Sequence, residues 1–313
     1  MAFPYAFFEK KCVPLSEAKI GIMTHAFNYG TACFEGIRGN WNAEDEQLYI
    51  FRMPEHYVRF LRSCRIIKID LPYTVQELCD LTLELVQKCD YREDIYIRPL
   101  AYKSSQVVGV RLHGLDDDFL LFVVPFGNYL DVEKGVHCGT SSWRRIDDNM
   151  IPARAKITGL YINSALAKTE ANENGFDEAI MLTHNGHVSE GSGENIFIVV
   201  DGKLVTPPVS DNILVGITRG TIITLAKDEL GLDTEERPID RTELYVADEC
   251  FMTGTAAHVT PVLAIDRRKI GTGDIGEITA KLQRLYFDVV RGRNPKYMRW
   301  CTPAYPLAKT VRT

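Results

Sequence analysis

No stretch of this sequence stays apolar for long. The longest uninterrupted run, Phe119 to Phe126, falls far short of the ~20 residues a helix needs to cross a bilayer, so a membrane span is not expected. Met1 to Cys12 carries no basic leader and no sustained apolar stretch ahead of Glu9, Lys10 and Lys11. A signal peptide is therefore not expected, and the expected location is cytoplasmic. Paired cysteines are missing as well. The eight Cys stand singly at 12, 33, 64, 79, 89, 138, 250 and 301, which removes zinc ribbons and thioredoxin-type chemistry and leaves reduced, mostly buried thiols. His25, His184, His187 and His258 share no metal spacing, so they read as turn or surface residues and no metal is expected. An excess of basic residues is lacking too: 36 Lys and Arg against 42 Asp and Glu give a net charge of −6, which argues against nucleic acid as a partner. There is no G-x-x-x-x-G-K-[ST], and Gly191-Ser-Gly193 is followed by Ile196 where a dinucleotide fingerprint needs glycine. The G-x-S-x-G elbow and the H-E-x-x-H helix are absent, and with them the serine-hydrolase and zincin chemistries.

What is present is ordinary globular sequence. The 313 residues are 45% hydrophobic and 25% charged, with 23 Gly and 14 Pro, enough for two domains with real cores. Leu48 to Arg52 reads as a strand, and Pro54 opens a helix to about Ile67. Thr74-Val-Gln-Glu77 is a capping box starting a second helix, with Val75, Leu78, Leu81, Leu85 and Cys89 recurring at helical spacing. Ile95 to Ala101 and Phe119 to Phe126 are strand runs joined by a long polar loop, Lys103 to Asp118, whose length points to function. Composition then shifts to Gly, Asn, Asp and Lys, which places an interdomain connection at 126–136 between a small domain, 1–125, and a larger one, 137–313. In the second domain a helix is expected from Gly159 to Asn174, and Glu178 to Thr183 is a strand. His184-Asn-Gly-His187 and Asp201-Gly202 are hairpin turns. Further helices run from Thr218 to Leu230 and from about Gly276 to Arg291. The basic residues after Asp288 make a tail that is docked or frayed. Strands and helices mix without a βαβ rhythm, so the fold class is α+β.

Several segments are dense in functional residue types: His25-Ala-Phe-Asn-Tyr29-Gly-Thr-Ala-Cys-Phe34-Glu-Gly-Ile-Arg38, Tyr96-Ile-Arg98-Pro, Ser141-Ser-Trp-Arg-Arg145, Ile151-Pro-Ala-Arg-Ala-Lys156, Tyr161, Ser189-Glu190-Gly-Ser-Gly-Glu194-Asn195, Gly216-Ile-Thr218-Arg and Thr253-Gly-Thr255-Ala-Ala257. In this order and spacing they closely resemble the class IV aminotransferases, the pyridoxal-phosphate enzymes typified by branched-chain amino-acid aminotransferase. The resemblance runs over roughly residues 15 to 290. It implies a two-domain fold type IV architecture with the cofactor, pyridoxal 5′-phosphate, in the interdomain cleft. It also implies a ping-pong amino transfer between leucine, isoleucine or valine and 2-oxoglutarate. D-amino-acid or (R)-amine transaminases and an aminodeoxychorismate-type lyase on the same fold are the alternatives. A homodimer is implied, because family members complete each pocket with a loop from the neighbour.

The chemistry explains the residue types. Amino transfer needs an amine that holds the cofactor aldehyde as a Schiff base and later shuttles a proton, and a lysine can do both once its pKa is lowered. Lys156 resembles that lysine. The ring nitrogen stays protonated only beside a carboxylate, which favours its charged form. Glu190 resembles that partner, although Glu194 could serve on physical grounds alone. A phosphate is held by N–H groups at a helix start with hydroxyls and a fixed cation. Ile217, Thr218, Thr255 and Arg59 match those roles, and Tyr161 matches the tyrosine on the cofactor's phenolic oxygen. The substrate side is expected from Tyr29, Phe34, Tyr96, Arg98, Phe126, Tyr129, Thr255 and Ala256. The resemblance implies that Tyr96 and the Thr255–Ala256 N–H groups take the α-carboxylate. Arg98, on the same face of its strand as Tyr96, takes the distal carboxylate of glutamate. Two departures bear on the substrate: Phe126 stands where some members carry Trp, and Arg111 follows the apolar tip of the 103–118 loop.

Overall fold

A computed structural model describes residues 4–127 and 130–306. The chain divides into two compact units, one of residues 1–127, 157–159 and 288–313, the other of 128–156 and 160–287.

The first unit is built on one mixed-length, antiparallel sheet. Its strands lie in the order Cys301–Pro303, Gln47–Phe51, Ile37–Asn42, Ile95–Lys103, Asp117–Pro125, Tyr5–Phe8, Lys11–Pro14, with Ala32–Phe34 pairing beside Ile95–Lys103. Two helices, Met53–Ile66 and Val75–Cys89, are packed together. The second begins at the expected capping box, with the Thr74 side chain accepting from the Glu77 N–H and the Glu77 side chain from the Thr74 N–H. Its buried residues are Leu78, Cys79, Thr82, Leu85, Val86 and Cys89, the apolar face that the 3.6-residue period anticipates.

The second unit holds a nine-stranded sheet among the described residues, ordered Val188–Gly191, Glu178–Leu182, Val136–Thr140, His258–Ile265, Glu249–Gly254, Asn195–Val200, Lys203–Thr206, Thr234–Glu236, with Arg268–Lys269 at the side of His258–Ile265. Asp201 and Gly202 both take positive φ, 50° and 73°, as a two-residue hairpin turn requires. The helix Ile217–Leu230 ends on Gly231 at φ 66°, a left-handed cap that costs glycine nothing. Tyr161–Glu173 follows a short 3-10 turn, Thr158–Leu160, so that helix begins two residues later than the sequence implies.

Two features depart from the expected domain division. The described part of the tail after Asp288, to residue 306, belongs to the first unit, because Cys301–Pro303 pairs antiparallel with Gln47–Phe51 and Arg291 binds the Asp94 carboxylate at 3.1 Å; Lys309 and Arg312 lie outside the described residues. A three-residue strand that is paired only by tertiary contact leaves little trace in local sequence. Ile157–Gly159 also returns to the first unit: Ile157 bridges Cys33, and the Thr158 hydroxyl donates to the Gly30 carbonyl at 2.9 Å. A third difference concerns histidine, since His25 and His258 are buried instead of lying at the surface. His25 can be buried because its Nδ1 lies 2.8 Å from the Thr31 hydroxyl and its Nε2 2.8 Å from the Gly109 carbonyl, which satisfies both ring nitrogens.

Candidate active site

The second unit carries Lys156, Tyr161, Glu190, Ile217, Thr218, Thr255 and Ala256. Lys156 ends a turn whose Ala153 and Ala155 are buried. Its Nζ donates to the Tyr161 hydroxyl at 2.7 Å, so the amine and the phenol expected to serve one cofactor already touch.

Glu190 lies on the strand Val188–Gly191. The Arg145 guanidinium meets its Oε1 at 2.7 Å, with side chains only 5% and 6% exposed. Asn195 Nδ2 and the Leu214 N–H donate to Oε2, each at 3.0 Å. A cation and two further donors favour the ionised carboxylate. Glu194 is the opposite case. It is buried and accepts one hydrogen bond, from the Gly193 N–H at 3.1 Å. Among the described residues no cation lies within ion-pair distance of it, and the nearby Lys168 is held by Glu178 at 2.6 Å. Burial, and next the Glu178 carboxylate, push the Glu194 carboxyl up to about 8 against the pull of the Gly193 N–H. Its surroundings favour the uncharged acid. The pair that sequence reasoning could not separate on physical grounds is thus divided by its surroundings.

Asn195 extends the arrangement. Besides Glu190 it donates to the Leu214 carbonyl at 2.9 Å. A Cβ on Gly216 would stand 2.0 Å from Asn195 Oδ1, so glycine is what admits this approach. Gly216 is the N-cap of the 14-residue helix Ile217–Leu230, which has no side-chain cap and no acidic residue in its first turn. Its leading N–H groups and the buried Thr218 suit an anion. Thr255 and Ala256 sit in the turn between Glu249–Gly254 and His258–Ile265, and Asn195 is the register partner of Thr253. One network therefore joins Glu190, the helix start and the strand leading to that turn.

The first unit carries Arg59, Tyr29, Phe34, Tyr96, Arg98 and Phe126. Arg59 forks onto the fully buried Glu35, Nε to Oε1 and Nη2 to Oε2, both at 2.7 Å, and His56 Nδ1 meets Oε2 at 2.8 Å. Burial pushes the Glu35 carboxyl up, but Arg59 and His56 outweigh it and hold it well below the usual carboxylate range. Arg98 Nη2 donates to the Tyr96 hydroxyl at 2.9 Å, and its guanidinium lies 4.3 Å from the Phe34 ring centroid. Arg98 Nε is buried with no hydrogen-bond partner among the described residues. The Tyr96 and Phe126 rings are 5.1 Å apart. Tyr29 accepts from the Gly109 N–H at 3.1 Å, tying it to the tip of the 103–118 loop. Tyr129 lies outside the described residues.

Sequence reasoning quoted Glu35, Gly36, Arg38, Arg145 and Asn195 within motifs but gave them no role. Burial of charge is what marks Glu35, Arg38 and Arg145, and a linear sequence shows that only as a charged residue among apolar ones, as in Phe34-Glu-Gly-Ile-Arg38.

An amine next to a phenol, an ionised buried carboxylate and an uncapped helix start form a donor set that fits pyridoxal 5′-phosphate. Lys156 suits the aldehyde, Glu190 the ring nitrogen and the 217–218 helix start the phosphate. The family model for amino-transferase class IV matches residues 32–265. A probable branched-chain-amino-acid aminotransferase of Aquifex aeolicus is 54% identical over 301 residues, covering 96% of this chain and 97% of that protein. Among solved structures, the branched-chain amino acid aminotransferase of Thermobaculum terrenum in its PLP form superposes with a TM-score of 0.93 at 39% identity, over 98% of this chain and 100% of that one. The T.th. enzyme complexed with N-(5′-phosphopyridoxyl)-L-glutamate gives 0.92 at 41% identity, over 97% and 100%. The α+β fold, the donor set and these likenesses converge: the chain belongs to the class IV amino-transferases, enzymes that use pyridoxal 5′-phosphate.

Proposed function

We propose that this enzyme transfers the amino group reversibly between branched-chain L-amino acids and 2-oxoglutarate. The observation that carries the reading is the Lys156 amine held 2.7 Å from the Tyr161 hydroxyl, in a chain whose relative at 54% identity is named for branched-chain substrates. When bound, pyridoxal phosphate supplies the aldehyde that exchanges the amino group and the ring that accepts electrons. Lys156 would hold the aldehyde carbon in the resting enzyme and, once displaced from it by the incoming amino group, its free Nζ would carry the proton between the substrate Cα and that carbon. Tyr161 orients that amine. Glu190, ionised beside Arg145, keeps the proton on the ring nitrogen, whereas the uncharged Glu194 has no charge to offer it. Arg59, Thr218, Thr255 and the Ile217 N–H hold the phosphate.

Tyr96 and the Thr255 and Ala256 N–H groups orient the α-carboxylate. Tyr29, Phe34, Phe126 and Tyr129 exclude water around an apolar side chain, and Arg98 meets the second carboxylate of glutamate through its buried, unpartnered Nε. The glutamate adduct bound by the T.th. enzyme is of the same substrate class. We further propose a homodimer, supported by apolar side chains that water would otherwise cover: Val108 and Val110 at the loop tip are 75% and 90% exposed. None of the described helices is long and apolar enough to cross a membrane. The eight unpaired cysteines fit a reducing compartment, which supports a cytoplasmic location.

Borohydride reduction of the yellow holoenzyme followed by peptide mapping tests the site, and the absorbance change with L-valine against D-valine tests the reaction. The expected result is a pyridoxyl label on Lys156 and a colour change with the L isomer alone. A label on another lysine overturns the site, and a response to D-valine without L-valine overturns the function.

A further inference from the structure

Arg38 is a charged residue that the proposed chemistry leaves without a task. It lies on the strand Ile37–Asn42, only 3% exposed. Burying a guanidinium is costly unless its donors are met, so where those donors go is informative. Nη2 donates to the carbonyls of Phe126 and Gly127, both at 2.9 Å, and the guanidinium carbon stands 5.0 Å from the Phe126 ring centroid. The nearest carboxylate, Asp94, is 3.9 Å away and is already engaged by Arg291 at 3.1 Å and by the Trp41 N–H at 2.8 Å. Arg38 therefore holds both the carbonyl and the ring of Phe126.

That residue needs holding. The strand Asp117–Pro125 ends one position earlier, so no ladder fixes Phe126. Its N–H reaches the Asp94 carbonyl at 3.0 Å, and its carbonyl and ring both rest on Arg38. Arg38 is also the register partner of Tyr96, and residues opposite one another on adjacent strands face the same side. Cations and rings stack along that face. Arg38 lies on Phe126, Phe126 on Tyr96, and Arg98 between Tyr96 and Phe34. The stack holds three of the aromatic residues proposed to line the substrate pocket.

We infer that Arg38 is a positioning residue for substrate selectivity: by gripping the ring and carbonyl of Phe126 it fixes the wall that measures the apolar side chain. The inference rests on the substrate pocket proposed above. Without the grip the ring can tilt, and the apolar substrate loses close contact while the carboxylate contacts of glutamate stay in place.

The test is a double-mutant cycle of Arg38→Met and Phe126→Ala in the holoenzyme, with kcat/KM measured for leucine and for glutamate. Phe126→Ala is expected to lower the leucine-to-glutamate ratio about tenfold, the scale on which apolar pockets discriminate. Arg38→Met should lower it comparably, mainly through the KM for leucine, with the cofactor absorbance unchanged. Combined, the two changes should add little to either one, and Arg38→Lys should restore part of the loss. If Arg38→Met is not recovered folded, Arg38→Lys takes its place in the cycle under the same criterion. Additive effects, or an equal fall for both substrates, overturn the inference and leave Arg38 a brace of the fold. An unchanged ratio in Phe126→Ala removes the pocket reading, and this inference falls with it.

Discussion

Replacing Glu190 by Gln is the sharpest perturbation this site allows, because every neighbour described at its carboxylate is a donor. Arg145 Nη2 sits at 2.7 Å from Oε1, and Asn195 Nδ2 and the Leu214 N–H at 3.0 Å from Oε2. A glutamine offers one accepting oxygen and one donating amide. In either orientation the Arg145 guanidinium, 5% exposed, is left buried without its counter-charge, a loss of about 3–5 kcal/mol. If the amide faces Asn195 and Leu214, those two donors also lose their acceptor, at about 1–3 kcal/mol each where buried. Either orientation destabilises the fold by several kcal/mol on this scale. Loss of the charge beside the ring nitrogen should also slow the half-reaction with L-leucine by about 10²–10⁴-fold. Glu194→Gln near neutral pH exchanges one uncharged group for another of the same shape and should leave the rate close to the parent's. Its signature lies in pH. The folded Glu194 carboxyl, pushed up to about 8, binds a proton that the unfolded chain, at about 4.3, has released. Stability therefore falls as pH rises between those values and levels off above them. Glu194→Gln removes that decline, so it should gain on the parent as pH increases. Stopped-flow absorbance and thermal unfolding from pH 4 to pH 9 measure both effects. A slower half-reaction in Glu194→Gln than in Glu190→Gln would refute the assignment.

Arg98→Leu should weaken 2-oxoglutarate and glutamate far more than leucine and its keto acid, since only the dicarboxylates lose a charge-assisted partner. If Arg111→Leu does so instead, the pocket cation has been misassigned. Gly36→Ala would place a Cβ 2.2 Å from the Tyr96 hydroxyl, so kcat/KM should fall in parallel for leucine and glutamate; a selective loss would remove Tyr96 from the α-carboxylate. Glu35→Gln takes the forked acceptor from Arg59 and should cost about 3–5 kcal/mol and loosen the cofactor, seen as faster loss of absorbance on dialysis against phosphate. Because Glu35 titrates below its usual range, its stabilisation is complete above the unfolded-state value. The gap between parent and variant should close as pH falls below about 4; a constant gap would contradict the ion pair.

The sequence by itself determined the local elements and the family. The Thr74–Glu77 capping box, the Asp201-Gly202 turn and the Gly231 stop are governed by interactions over a few residues, and each appears in the structure. The order of Lys156, Tyr161, Glu190, Thr218 and Thr255 was enough to point to the family. Only the tertiary structure tells the surroundings of Glu190 and Glu194 apart. Both are buried carboxylates four residues apart, and their charge depends on Arg145, drawn from 45 positions upstream of Glu190, and on Glu178, whose carboxylate opposes ionisation of Glu194. Packing likewise returned the tail to the first unit, since Cys301–Pro303 completes a sheet edge whose partner lies some 250 residues away. It also set Glu35 under Arg59 and Arg38 under Phe126. A buried charge is defined by what surrounds it, and those surroundings are assembled from strands that the chain reaches at widely separated points.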